Sequence, residues 1–200
     1  MSKTLSKGSI TLITIGIVIL ILIGGTLTTY NGLVSKDEAA STAWSNLQAQ
    51  YQRRADLVPN LVNTVKGYAK HESETFENVV AARAKATQLS VDADNLTPER
   101  ARQILQAQGD LSTALGKLMA ISESYPELKA SENFSELQAQ LEGTENRITV
   151  ERQKFNETAK AYNTEVRKFP ANIIAGMFGF ERKPYFEAKE GADEAPKVEF

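Results

Sequence analysis

Apolar residues fall in two different patterns along this chain. From Ile10 to Leu27 they are nearly continuous, and no charged side chain lies between Lys7 and Lys36. Beyond that block they recur every three or four positions, the spacing of one face of an α-helix. At about 1.5 Å per residue, Ile10–Leu27 covers about 27 Å, close to the thickness of a hydrocarbon core. A membrane anchor, a cleaved signal peptide and a buried core helix all fit a block of this kind. The run is long and aliphatic on all sides, and it passes into Gly24-Gly25-Thr26-Leu27-Thr28-Thr29-Tyr30 without an A-x-A tripeptide. A lipoprotein anchor would need a cysteine, and the chain has none. An uncleaved transmembrane segment, Ile10 to Thr29, is therefore expected, with Tyr30 at the interface.

The periodic part predicts four helices. The first spans Asn31 to Ala55, with its apolar line at Leu33, Ala40, Trp44, Leu47, Tyr51 and then Arg54 or Ala55. Pro59 lacks an N–H and crowds the preceding turn, but it suits a first helical position. That places a corner at Asp56-Leu57-Val58 and a second helix from Pro59 to about Leu89, with Leu61, Val62, Val65, Ala69, Glu72, Phe76, Val79, Val80 and Arg83 on its line. The alternative is one rod through Pro59 that reverses near Gly67. A third helix opens with Thr97 as cap and Pro98 at its first position, carries Ile104, Leu105, Gln108, Leu111, Leu115, Leu118 and Met119, and stops at Tyr125-Pro126. The fourth runs from about Asn133 to Phe169 along Leu137, Leu141, Thr144, Ile148, Glu151 or Arg152, Phe155, Ala159, Tyr162, Val166 and Phe169, and Pro170 ends it. The first three are nearly equal in length and the links are short. The expected fold is all-α: a single transmembrane helix followed by an up-and-down antiparallel four-helix bundle.

Five segments result: a basic flank (1–9), the anchor (10–29), the bundle (30–170), a short apolar and aromatic segment near the membrane (171–186) and an acidic flexible tail (187–200). Ala, Glu, Gln, Leu, Lys and Arg dominate the part after the anchor, as helices favour. Net charge is −2, so a nucleic-acid partner is not expected. Lys3 and Lys7 stand before the anchor, against Lys36 followed by Asp37 and Glu38 after it. That count points to a cytoplasmic N-terminus and a domain outside the cytoplasm.

Candidate chemistry is sparse. His71 is the one histidine, so neither H-E-x-x-H nor paired Glu-x-x-His can form, and His71 reads as a surface or boundary residue. No G-x-S-x-G elbow or phosphate-binding glycine loop is present. Glu142 and Glu145 share a helix face where a cation could bridge them, but a solvated acidic face is the far more common reason for such a pair. No catalytic, cofactor or metal residue is assigned. Arg54, Glu72, Arg83 and Glu151 interrupt the apolar lines and are candidate polar core contacts, either paired inside or reaching water from the edge. Trp44 is expected in the core, with a partner interface as the competing site. Ile173, Ile174, Met177, Phe178 and Phe180, with Arg182 and Lys183, are candidate membrane or partner contacts. They could form an interfacial foot, a cap folded back on the core, or a contact between copies.

Several stretches resemble the LemA family: Tyr30-Asn31-Gly32-Leu33-Val34 after the anchor, Ala43-Trp44, Tyr51 to Val62, Val65 to Glu72, Tyr125 to Ala130, Thr144 to Ile148, Phe155-Asn156, Ala161-Tyr162-Asn163 and Lys168-Phe169-Pro170. The resemblance implies a bacterial, membrane-anchored helical protein of the cell (inner) membrane, single-pass, without an established activity. Some relatives are linked to membrane remodelling or to membrane proteases. The implied role is a non-enzymatic scaffold or adaptor whose partners are the lipid bilayer and other membrane proteins or a second copy. The alternative is a subunit of a membrane-associated enzyme or protease system, or a carboxylate-based hydrolase. Many relatives carry several basic residues after the anchor, where this chain reads Ser35-Lys36-Asp37-Glu38, so their orientation does not transfer.

Overall fold

The computed structural model describes residues 7–186. Most of the expected basic flank and all of the acidic tail lie outside the described residues. Those described are all-helical, with no strand among them: α1 Lys7–Tyr68, α2 Ser73–Gln88, α3 Pro98–Ile121, a single turn α4 Pro126–Lys129, α5 Glu132–Arg167 and a short α6 Ala171–Phe178.

No break separates the segment expected as anchor from the first expected helix. One helix of 62 residues runs from Lys7 to Tyr68, about 93 Å at 1.5 Å per residue. Its N-terminal part is the one described helix long and apolar enough to cross a membrane. Gly24 and Gly25 do not interrupt it, and the hydroxyls of Thr26, Thr28 and Thr29 donate at 2.9 Å to the carbonyls of Leu22, Gly24 and Gly25. Hydroxyls bonded back onto their own helix carry little polar cost in an apolar surrounding.

The corner expected at Asp56-Leu57-Val58 is also absent. Pro59 lies inside α1, and the chain reverses at Ala69–Glu72, just past Gly67. Of the two readings of Pro59, the rod through it is the observed one. The helices are consequently unequal: α2 has 16 residues, α3 has 24 and α5 has 36. Thr97 caps α3 as expected, its side chain accepting the Arg100 N–H at 3.2 Å with Pro98 at the first position.

Beyond its exposed N-terminal stretch, α1 packs antiparallel along α5. Leu33 lies near Val166, Trp44 meets Phe155, and Arg54 meets Glu145. α2 and α3 form an antiparallel pair in which Lys85 meets Asp110. The core divides into three clusters along this axis. The distal one gathers Val58, Leu61, Val65, Phe76, Leu111, Leu118, Leu128 and Phe134. The central one holds Trp44, Leu47, Tyr51, Ile104, Ile148 and Phe155. The smallest sits where α1 leaves its apolar stretch, with Leu33, Ile174 and Ala175. Every residue named on the first apolar line is buried. Val80 and Phe169, placed on the second and fourth lines, are instead exposed. Phe169 falls beyond the last helical residue of α5 and precedes Pro170 through a cis peptide.

Candidate functional site

The four polar residues expected to interrupt the core behave in three different ways. Arg54 is only 2% exposed. Its Nη1 donates to Glu145 Oε1 at 2.5 Å, and its Nη2 donates to the Gln108 carbonyl at 3.1 Å and also to Gln108 Oε1. Gln108 passes the connection on, donating to the Ala86 carbonyl at 3.4 Å. One guanidinium on α1 thereby ties α3 and α5 together, and through Gln108 it reaches α2. Glu145 leans to the surface, where Ser112 Oγ lies 3.5 Å from it. Its role is a counter-ion to Arg54, while Glu142 accepts from Gln138 at 3.0 Å on the exposed face.

Arg83 acts on the backbone. Its Nε donates at 2.7 Å to the carbonyl of Ala55. In an α-helix that carbonyl receives the N–H four residues later, and residue 59 is a proline without one. The guanidinium of α2 fills the acceptor that Pro59 leaves open. Glu72 is different again: it sits half-buried at the start of α2, where Tyr125 Oη lies 3.5 Å from its carboxylate. Glu151 is half-buried on α5: one carboxylate oxygen accepts from Lys154 at 2.7 Å, while the other, Oε2, is buried without a hydrogen-bond partner. Both Glu72 and Glu151 thus stand at the edge of the core, partly buried.

Trp44 is fully buried in an aromatic group. Its ring centroid lies 5.7 Å from Phe155 and 5.6 Å from Phe186, and it stacks on Phe186 at 18°. Its Nε1 donates at 2.8 Å to the Val91 carbonyl, which also accepts from Gln48 at 2.7 Å. Burial pushes the nearby Tyr51 phenol up, against the opposing pull of the Arg152 and Arg54 guanidiniums.

Phe186 arrives there by a device not anticipated from the pattern. After α6 the chain turns at Gly179, whose φ of 76° is the left-handed conformation that glycine accepts most readily, and runs back along α5. Asn163 brackets Lys183, donating to its carbonyl at 2.8 Å and accepting its N–H at 2.8 Å. Asn156 does the same to Phe186, at 2.8 and 2.9 Å. Two helical turns advance about 10.5 Å and three extended residues about 10 Å, so the two amides meet the strap in register. Asn156 and Asn163 follow the buried Phe155 and Tyr162 by one position each, and that seven-residue repeat was the available signal.

The strap also withdraws Lys183 from the surface. Its side chain is 9% exposed, with Nζ 2.9 Å from Asp37 and 3.8 Å from Asp94, and it lies 5.6 Å from the centre of the Tyr162 ring. Burial, with the Asp37, Asp94 and Glu181 carboxylates close by, pushes the Tyr162 phenol up to about 12.

The candidate contact residues of the C-terminal segment separate accordingly. Ile174 is buried and Phe180 partly buried, and the Phe178 and Phe180 rings lie 4.9 and 5.6 Å from Tyr30. Ile173, Met177 and Phe178 are exposed, as is Arg182. Lys183 belongs to the interior. His71 is exposed in the α1–α2 reversal. No group of three or more His, Cys, Asp or Glu side chains suited to a metal is present among the described residues.

The LemA family model matches residues 43–200. The chain belongs to the LemA family. Among relatives, it is 28% identical over 181 residues to magnetosome protein MamQ 1 of Paramagnetospirillum magneticum and 29% identical over the same length to magnetosome protein MamQ of Magnetospirillum gryphiswaldense. Each alignment covers 82% of this chain and 66% of the relative, so this LemA-family chain spans just under two thirds of their length. Protein LemA of Metamycoplasma hominis is 24% identical over 179 residues, covering 90% of this chain and 76% of that protein.

Proposed function

We propose that this LemA-family chain is a membrane-tethered scaffold or adaptor: an up-and-down antiparallel four-helix bundle on a single span, engaging other membrane proteins or a second copy, without catalysis of its own. The observation that carries this reading is the continuity of α1. Its aliphatic N-terminal part is exposed, while the same helix goes on to supply Leu33, Trp44, Leu47 and Leu61 to the core. Exposed aliphatic surface of that extent calls for lipid. Two buried cations hold segments of the fold together, Arg54 with Glu145 and Lys183 with Asp37 and Asp94.

The test is photo-crosslinking in native membranes from exposed positions such as Val80 and Val150, followed by affinity purification. Adducts to a defined membrane protein or to a second copy are expected. Only uncrosslinked monomer from every position would overturn the reading. On the direction of insertion, Lys3 and Lys7 against Lys36 favour a domain outside the cytoplasm in a bacterial cell membrane. Protease added to spheroplasts should then degrade the domain. Protection until lysis would reverse the orientation and leave the scaffold reading in place.

A further inference from the structure

α6 is apolar on two opposite sides. Ala171, Ile174 and Ala175 face the core, whereas Ile173 is 54% and Met177 74% exposed, and Phe169 just before them is 82% exposed. Ile173 and Met177 lie four apart and share one face. A short helix without a charged residue, half of it docked, leaves its outer face in need of another apolar medium.

Its position indicates which one. Phe178 and Phe180 pack against Tyr30, and Ile174 and Ala175 against Leu33, on the same continuous helix as the aliphatic block. Tyr30 and Leu33 stand three and six residues past Leu27, a rise of about 4.5 and 9 Å. The headgroup layer of one leaflet is about 5–8 Å deep. If α1 spans a bilayer, α6 is thereby held at the level of that layer. Arg167 before α6 and Arg182 after it are exposed and make no ion pair among the described residues, which suits cations beside lipid phosphates.

We infer that α6 is a second membrane contact, an interfacial helix whose Ile173–Met177 face, with Phe169, enters the upper part of the acyl layer beside the span. The occupant of this face is the lipid bilayer. The inference rests on the tethered reading of α1, and its test separates the two.

The chain contains no cysteine, so single cysteines are unique labelling sites. Ile173→Cys, Met177→Cys, Leu22→Cys and Val80→Cys, all at exposed positions, would each carry a bimane label in the full-length chain. Each is reconstituted in phosphatidylcholine–phosphatidylglycerol vesicles with or without lipids brominated near the top of the acyl chain. The expected result is strong quenching at Leu22, Ile173 and Met177 and none at Val80. Quenching at Leu22 without quenching at Ile173 and Met177 would overturn the α6 inference alone. A blue-shifted but unquenched label at Ile173 and Met177 would overturn it too, assigning the face to a second copy. Absence of quenching at Leu22 would overturn the tethered reading itself.

Discussion

Arg83 hydrogen-bonds the carbonyl of Ala55, 28 residues earlier, through its Nε at 2.7 Å. That carbonyl is the one Pro59 cannot serve, and the contact explains how α1 continues through a proline.

Replacing Arg83 by Met should therefore destabilise the domain by about 1–3 kcal/mol, the cost of an unsatisfied buried acceptor. Pro59→Ala restores an N–H to Ala55 and should stabilise the helix by up to about 3 kcal/mol. In the Pro59→Ala background the Arg83→Met cost should shrink. Denaturant melts of the four variants form the double-mutant cycle, and strict additivity would contradict the pairing.

The Arg54–Glu145 pair is asymmetric, with side chains 3% and 35% exposed. Glu145→Ala leaves a buried guanidinium short of a counter-ion, a loss of roughly 3 kcal/mol. Arg54→Met removes the buried charge and lets Glu145 turn to water, so it should cost less. Equal costs in urea unfolding would show that Glu145 does not compensate Arg54.

The strap is testable through the single tryptophan. Asn156→Ala and Asn163→Ala each remove a pair of backbone hydrogen bonds, worth about 1–3 kcal/mol together. Phe186 should then leave Trp44, and the Trp44 emission should shift to longer wavelength. The Asn156 variant should show the larger change, since that residue holds Phe186 directly.

Tyr162 gives an alkaline signature. Its folded pKa, raised to about 12, exceeds the unfolded value, so its contribution is intact below about pH 10 and is lost as pH rises towards 12. Tyr162→Phe should flatten that part of the stability–pH curve, and an unchanged alkaline limb would contradict the assignment.

Three of the apolar lines could be read from spacing because burial on one helix face repeats every three or four residues whatever the partner. Trp44, Leu47 and Tyr51 on α1, and Leu141, Ile148 and Phe155 on α5, are core for that reason. Pro59 misled because its penalty is local, whereas the group that offsets it comes from Arg83, distant in sequence. Arg54 and Arg83 stood out as charges on apolar lines, but Glu72 and Glu151 did so equally, and only packing distinguishes an inward carboxylate from one at the edge. The strap left one trace, the seven-residue spacing of Asn156 and Asn163, but both amides recognise backbone, so that spacing does not reveal which segment they hold. Lys183 counted as a surface cation because the carboxylates that pair with it, Asp37 and Asp94, lie far from it along the chain.

The unbroken course of α1 gives the molecule the mechanics of a drive shaft. Between Thr29 and Leu33 there is no hinge or swivel, and α6 clamps the shaft at that point. Rotation of the apolar end about its axis must turn the Trp44 and Arg54 faces with it, so the two ends are phased. One residue inserted at Asn31 would offset them by about 100°, and a seven-residue insertion would nearly restore the phase. Neighbouring helices in the bilayer could thus set the azimuth at which the domain meets its partners, a torsional coupling that a flexible linker would dissipate.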